Sequence, residues 1–385
     1  MEAYFDNSAT TKPRQEVVET ILDALTLHYG NPSSLHRKGV EVEKRIKGAR
    51  KSVAKLMAAK ETEIVFTSGG TESNNMAILG TVLANQRKGN KIITTRIEHP
   101  SVLNVFKYLE TKGFEVSYID VDMHGKVQME QLEQSIDENT ILISMMHVNN
   151  EVGTVQPVET IGKMITKLKN KPIFHVDGVQ SFGKLKILPG KLGMDLFSVS
   201  AHKFHGPKGI GALYIKRGTK LIPTFYGGGQ EIGARPGTEN VSGILGLGTA
   251  AELVGKELDE NIEKMCLLRK HLLNGIVTEI KDIKVNGASI EESAPHILNV
   301  SFLGIRGEIL LHSLEQDNIY VSTGSACSSK KSNHSHVLKA MGLTEKEIEG
   351  AIRFSLSYSN TFEEVGYVVE RLKKHVVELR KIMMR

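Results

Sequence analysis

From about residue 14 to residue 250, short runs rich in β-branched residues alternate with longer stretches of helical periodicity. The runs are IVFTS (64–68), KIITT (91–95), EVSYI (115–119), ILISMMHV (141–148), PIFHVD (172–177), LFSVS (196–200) and GALYI (211–215). Between them, stretches such as 40–59 and 72–87 carry apolar residues three and four apart. Strands that alternate with helices over short connections predict an α/β fold, with a mostly parallel, buried central sheet flanked by helices.

Past a glycine-rich passage (Gly227, Gly228, Gly229, Gly233 and Gly237) the pattern changes. A long helix is expected over about 241–280, with a kink or break near Gly255 left open. ILNVSF (297–302), IYVS (319–322) and AIRFSLS (351–357) follow, separated by helices, and an amphipathic helix starts at about Glu363. This set predicts a smaller α+β domain, joined by the N-terminal segment folding back. The expected division is a large domain over 14–255 and a small one made of 1–13 and 256–385. A length of 385 residues suits two domains at roughly 150 residues each. The absence of a fixed-period repeat or low-complexity tract removes solenoid and disordered alternatives.

Two cysteines, Cys266 and Cys327, are too few for a disulfide scaffold and suit a reducing compartment, so a cytoplasmic location is expected. The start, MEAYFDNSATTKPRQ, does not read as a signal peptide, and no run approaches ~20 apolar residues, so no membrane association is expected. The formal charge of +5 is spread over the chain, which argues against direct nucleic-acid binding because that needs clustered charge. Cys266, beside Met265 on a stripe with Ile262, Leu272 and Ile276, is expected to be core and is assigned no chemistry.

Three motifs point to a cofactor. SGGTESNN (68–75) follows an apolar run and opens a helix; its glycines allow close approach, and the free N–H groups of a helix start favour an anion such as phosphate. An ordinary N-cap by Thr71 or Ser68 is the alternative. HVDGVQSFGK (175–184) places Asp177 and Gln180 just past a strand, where side chains of an open sheet face the ligand crevice. An acid there suits a protonated heterocycle nitrogen, although Asp177 alone also reads as a turn residue. SAHKFHGPKG (200–209) holds Lys203 on a glycine-punctuated turn, where a desolvated amine can form a Schiff base. Together these are the parts of a pyridoxal phosphate (PLP) site, with no metal required.

The chain resembles the fold-type I PLP-dependent transferases of the class V aminotransferase group, and within it the NifS/IscS-like cysteine desulfurases. The resemblance spans nearly the whole length, through YFDNSATT (4–11), GNPSSLH (30–36), FTSGGTESNN (66–75), EHPSVL (98–103), MHVNNEVG (146–153), HVDGVQSFGK (175–184), SAHKFHGPKG (200–209), GARPGTEN (233–240), STGSACSS (322–329) and AIRFSL (351–356). It implies that Lys203 forms the Schiff base and that Gly70, Thr71, Ser200 and His202 hold the phosphate, with Thr238 reaching it from the partner of a homodimer. It further implies that Asp177 pairs with the pyridine nitrogen, Gln180 with the phenolic oxygen, and that His99 stacks on the ring and assists proton transfer. Asn150 and Arg353 would bind the substrate carboxylate, a task suited to a guanidinium with paired donors.

Cys327 separates this reading from a plain aminotransferase. It stands in STGSACSSKKSNHSH, a run of small and polar residues with the SGSAC pattern of the family's longer-loop group. Lys330, Lys331, His334 and His336 follow and, if close in space, favour the thiolate. The resemblance implies conversion of L-cysteine to L-alanine with sulfur carried as a persulfide on Cys327, then passed to an acceptor protein, either an iron–sulfur scaffold or a tRNA-thiolation enzyme. The sequence ends at LRKIMMR, where family members that feed a scaffold often carry a further tail, so the acceptor stays open. Ala201 stands where glycine is common in relatives. A selenocysteine lyase or another class V enzyme, and a non-catalytic sulfur-relay protein, are the alternatives.

Overall fold

The computed structural model describes residues 1–323 and 335–383. The chain opens with β1 (Ala3–Tyr4), α1 (Gln15–Thr26) and α2 (Arg37–Leu56). The alternating region gives β2 (Ile64–Thr67), α3 (Gly70–Asn85), β3 (Lys91–Thr95), α4 (Pro100–Glu110) and β4 (Glu115–Ile119). It continues with α5 (Met129–Ser135), β5 (Thr140–Met146), α6 (Val158–Thr166), β6 (Ile173–Asp177), β7 (Leu196–Ser200) and β8 (Gly211–Ile215). After α7 (Val241–Glu279) come β9 (Ile283–Asn286), β10 (Ile297–Phe302), α8 (Gly307–Glu315) and β11 (Ile319–Tyr320). The last elements are α9 (His336–Ala340), α10 (Glu345–Glu349), β12 (Ala351–Ser355) and α11 (Phe362–Met383).

Seven strands form the central sheet in the order β2-β8-β7-β6-β5-β3-β4. The strands from β7 to β4 are parallel neighbours, whereas β8 is antiparallel to both β7 and β2. Strand β2 therefore points the same way as β6 and β7, and the carboxyl ends of all three converge on one edge. Helices cover both faces, so β5 and β7 are buried at every residue and read as unbroken runs rather than alternating ones. The expected α/β architecture is the one observed.

One buried apolar cluster packs this sheet against α1, α2 and the first half of α7, drawing on Val17, Val53, Phe66, Phe174, Phe197 and Ala250. A second joins Phe5, Leu272, Val300, Phe354 and Val368. It covers an antiparallel sheet in the order β12-β10-β9, beside which β1 pairs with β11 through Ala3 and Ile319. Each fully buried Phe in these clusters contributes roughly 2–3 kcal/mol of burial free energy.

Helix α7 contributes to both clusters, through Leu247 and Val254 in the first and Leu268 and Ile276 in the second. Its 39 residues run uninterrupted through Gly255, so the break left open there does not occur. The expectation for Cys266 is corrected: the residue is exposed. The buried stripe runs through Met265, Leu268, Leu272 and Ile276. Cys266 lies about 100° around the helix from Met265, which turns it to solvent. Strands β1 and β9 add pairing that the sequence patterns did not single out.

Candidate active site

The edge where β2, β6 and β7 end carries the motif residues. Strand β2 stops at Thr67, whose hydroxyl bonds the Ser73 hydroxyl at 2.8 Å and faces the Gly69 carbonyl at 3.2 Å, folding the turn that starts α3. Gly69 sits at φ 152°, a region closed to most side chains, and a Cβ on Gly70 would lie 2.7 Å from Cγ2 of Val179. The bare backbone leaves a pocket of about 440 Å³ lined by Ala9, Thr10, Ser68, Gly69, Gly70, Thr71, Glu72, Ser200, His202, Lys208 and Gly209. First-turn N–H groups of α3 have no acceptor one turn back, and Gly70, Thr71 and Glu72 of that turn line this space. Gly70, Thr71, Ser200 and His202, expected around a phosphate, thus line one pocket.

His202 bonds the Thr10 hydroxyl through Nδ1 at 3.2 Å. Burial, with Lys203, Lys208 and Lys184 nearby, pushes its pKa down to about 4, so the ring is neutral near pH 7. The Lys203 amine donates to the carbonyls of Ser8 at 2.5 Å and Ala9 at 2.7 Å, which places it against the N-terminal segment at the pocket's rim. Gln180 donates to the same Ser8 carbonyl at 2.9 Å.

Asp177, the last residue of β6, is buried. Its carboxylate accepts from the Val179 N–H at 3.0 Å and from the Asn74 amide at 2.7 Å. The same Asn74 amide reaches the Ser101 hydroxyl at 2.9 Å, and that hydroxyl bonds His99 Nδ1 at 2.8 Å. A continuous chain therefore links His99 to Asp177. His99 caps α4, accepting the Ser101 N–H at Nδ1 over 3.1 Å, which leaves the ring proton on Nε2. Burial lowers its pKa; the Asp177 charge opposes that shift, and Lys203 and His336 add to it. His99 lines a second pocket of about 430 Å³ that shares Thr71 with the first.

Arg353 lies in β12 and is buried. Its guanidinium donates to the Asn150 carbonyl at 2.9 Å and pairs with Asp6 at 2.7 Å, while its Nε makes no hydrogen bond. The structure brings Asn150 and Arg353 together through the Asn150 backbone. Thr238 is exposed and does not line the pocket that holds Gly70 and Ser200. Cys327 lies outside the described residues, as do Lys330, Lys331 and His334.

A pocket at a glycine-bounded helix start, a buried carboxylate and a lysine thus lie together at the carboxyl edge of the mostly parallel sheet. Residues 3–368 match the Aminotransferase class-V family. The chain belongs to that family. It is 45% identical over 383 residues to "Cysteine desulfurase IscS" of Clostridium botulinum, covering 99% of this chain and 96% of the relative. It is 46% identical over 379 residues to "Cysteine desulfurase" of Nostoc sp., with 98% and 94% covered. A solved "NIFS-LIKE PROTEIN" superposes with a TM-score of 0.92 at 42% identity, covering 98% of this chain and 100% of that one. "SspA in complex with cysteine" does so with a TM-score of 0.82 at 36% identity, covering 93% and 100%.

Several residues of this class-V site escaped the reading of the sequence. Asn74 lies four residues past Gly70, on the buried side of α3, and only the packing of α3 over β6 brings it to Asp177. Asp6 stood in the YFDNSATT block with no role assigned, yet it holds Arg353 from the far end of the chain. Lys184 stood in a quoted motif, but nothing in its neighbours along the sequence marked it as fully enclosed.

Proposed function

We propose that this protein is a PLP-dependent cysteine desulfurase, which takes sulfur from L-cysteine, releases L-alanine and holds the sulfur as a persulfide on Cys327. The observation that carries the reading is the convergence of the Gly70–Thr71 cradle, Ser200, His202, Asp177 and Lys203 on one sheet edge, in a chain that also supplies the STGSAC cysteine. The residues present fit the cofactor. The pocket lined by Gly69, Gly70, Thr71, Ser200 and His202 offers backbone, hydroxyl and imidazole donors suited to a phosphate, and Asp177 keeps lone pairs for a pyridine N–H beyond its bonds to Asn74 and Val179. Gln180 and Lys203 meet at the Ser8 carbonyl beside them.

Gly70, Thr71, Ser200 and His202 would hold the phosphate, and Thr238 would add a hydroxyl from the partner of a homodimer. Bound PLP supplies an electron sink for the substrate's α-carbon. His99, steadied by Ser101, would stack on the ring and pass a proton, and Asp177 would keep the ring nitrogen protonated. Arg353 and Asn150 orient the substrate carboxylate, and the Lys203 amine moves the proton at the α-carbon. The Cys327 thiolate attacks the substrate sulfur: an S–S bond forms, the C–S bond breaks, and proton return to carbon completes L-alanine.

The two separate apolar clusters support a division into a large cofactor domain and a small domain that carries Arg353 and Cys327. Large exposed apolar side chains, among them Leu22, Leu25, Tyr226 and Ile232, support the docking of a second copy. The sulfur acceptor in this reading is a protein of an iron–sulfur assembly or tRNA-thiolation pathway, and the setting is the cytoplasm.

The test incubates the protein with PLP and L-cysteine and measures alanine and sulfide for wild type and Cys327→Ser. The expected result is production of both by wild type and background levels for Cys327→Ser. Full activity in the substituted protein would overturn the persulfide step.

A further inference from the structure

Lys184 is enclosed without a hydrogen-bond partner among the described residues. It sits in the helical turn after β6, where the Phe182 N–H bonds the Gly178 carbonyl and the Leu185 N–H bonds the Ser181 carbonyl. It follows Gln180 by four residues, so the two side chains share a face. The residue is 5% exposed, and its Nζ is buried and makes no hydrogen bond. His296, in the same wall, faces the Gln180 carbonyl oxygen through Nε2 at 3.4 Å, and its Nδ1 is also buried without a partner.

The charges that act on Lys184 are positive: Lys203 from the turn after β7 and Arg353 from β12. Lys184 acts in turn on His202 and His205 of that turn and on His296, the residue before β10. Asp6, beside this set, is already bonded to Arg353. Burial and the charges of Lys203 and Arg353 push the Lys184 pKa well below its ordinary value. An unpaired ammonium would bear the whole desolvation cost there, which favours the uncharged amine.

We propose that Lys184 takes up a proton when an amino-acid carboxylate binds at Arg353, becoming the second cation of the substrate site. The proposal rests on the reading that Arg353 and Asn150 receive that carboxylate. A bound anion offsets the Arg353 charge that disfavours the ammonium and adds an attraction of its own. The proton comes from solvent, no bond to carbon or sulfur changes, and nothing is oxidised. Linkage makes the effect reciprocal: binding that takes up a proton tightens as pH falls, by at most about tenfold per pH unit for one proton.

The test titrates the PLP-loaded enzyme calorimetrically with L-alanine, which carries the carboxylate but no sulfur to transfer, in buffers of different ionisation enthalpy. Wild type is expected to take up about one proton per chain more than Lys184→Met, whose affinity loses that share of its pH dependence. Lys184→Arg, a permanent cation, is expected to keep the affinity and lose the uptake. Equal uptake by wild type and Lys184→Met overturns the proposal. Arg353→Gln separates the two readings, since unchanged alanine affinity in that variant means that the carboxylate site itself is misplaced, whatever Lys184 does. If Lys184→Met does not fold, 13C-lysine NMR of the wild-type holoenzyme decides, with the Lys184 signal assigned through Lys184→Arg. An amine signal that moves to the ammonium position on adding L-alanine supports the proposal, and an ammonium signal beforehand overturns it.

Discussion

A Cβ on Gly70 would press on Val179 from 2.7 Å, and Val179 is fixed by its N–H bond to Asp177. Gly70→Ala is therefore expected to push the first turn of α3 and Asp177 apart, and with them the proposed phosphate and ring-nitrogen contacts. Overpacking of this kind costs about 1–3 kcal/mol, which predicts PLP affinity weakened roughly tenfold or more, measured by fluorescence titration of the apoprotein. Asn74→Ala removes the donor shared by Asp177 and Ser101 and leaves a buried carboxylate oxygen short of one partner. The expected loss is about 1–3 kcal/mol of stability in urea unfolding, with weaker coupling between His99 and Asp177. Asp177 was legible in the sequence because it ends an apolar run, where local pattern and chemistry coincide. Asn74 was not, because its role arises where one helix crosses a strand a hundred residues away.

The segment between β8 and α7 is held by a buried ion pair rather than by regular structure. Arg50 of α2 bonds Glu231 at 2.7 and 2.8 Å, reaches the Ile64 carbonyl at 2.6 Å and lies over the Phe66 ring at 4.5 Å. Glu231 also accepts the Phe66 N–H at 2.8 Å. Glu231 and Ile232 both adopt positive φ, 48° and 59°, a strained pair that the anchor must hold in place. Glu231→Ala is expected to destabilise the protein by about 3–5 kcal/mol, because it leaves the Arg50 charge largely buried and uncompensated. Glu159→Ala, which breaks an exposed pair on α6, is expected to leave the urea midpoint unchanged. Glycine-rich spacing marked this segment as irregular, and nothing in it announced Arg50 as its partner. By contrast, β3, β4, β7, β8 and β10 occur where their runs placed them, since β-branched and aromatic residues bounded by turn residues favour a strand whatever the direction of its neighbours.

Across the whole molecule, buried titratable groups set opposing pH slopes. Burial pushes His147, His202 and His205 down to about 4 and His175 to about 3. The unfolded chain binds protons at these positions below about pH 6.5 and the native fold does not, so their contribution is present above that pH and lost as pH falls toward 4. Glu98, pushed up to about 8, and Glu151, to about 7, act in the other direction: the native fold keeps protons that the unfolded chain releases above about pH 4.5. Their contribution is lost as pH rises through 7 and 8. Four imidazoles oppose two carboxyls between pH 4.5 and 6.5, so stability is expected to rise with pH there; above 7 the loss from the two carboxyls runs against Lys184, whose buried amine only the unfolded chain protonates readily, so stability is expected to level off. Urea midpoints of the apoprotein at pH 5, 6.5 and 8 check this, and a midpoint at pH 5 equal to that at 6.5 would refute it. The sequence by itself determined the α/β class and the family, because strand burial and glycine-bounded turns are written in local pattern. Only the tertiary structure decided that Asp6 holds Arg353, that Asn74 joins His99 to Asp177, that Cys266 faces solvent and that Lys184 is sealed among bases. Those facts depend on which distant segments exclude water from one another, and no local spacing encodes that.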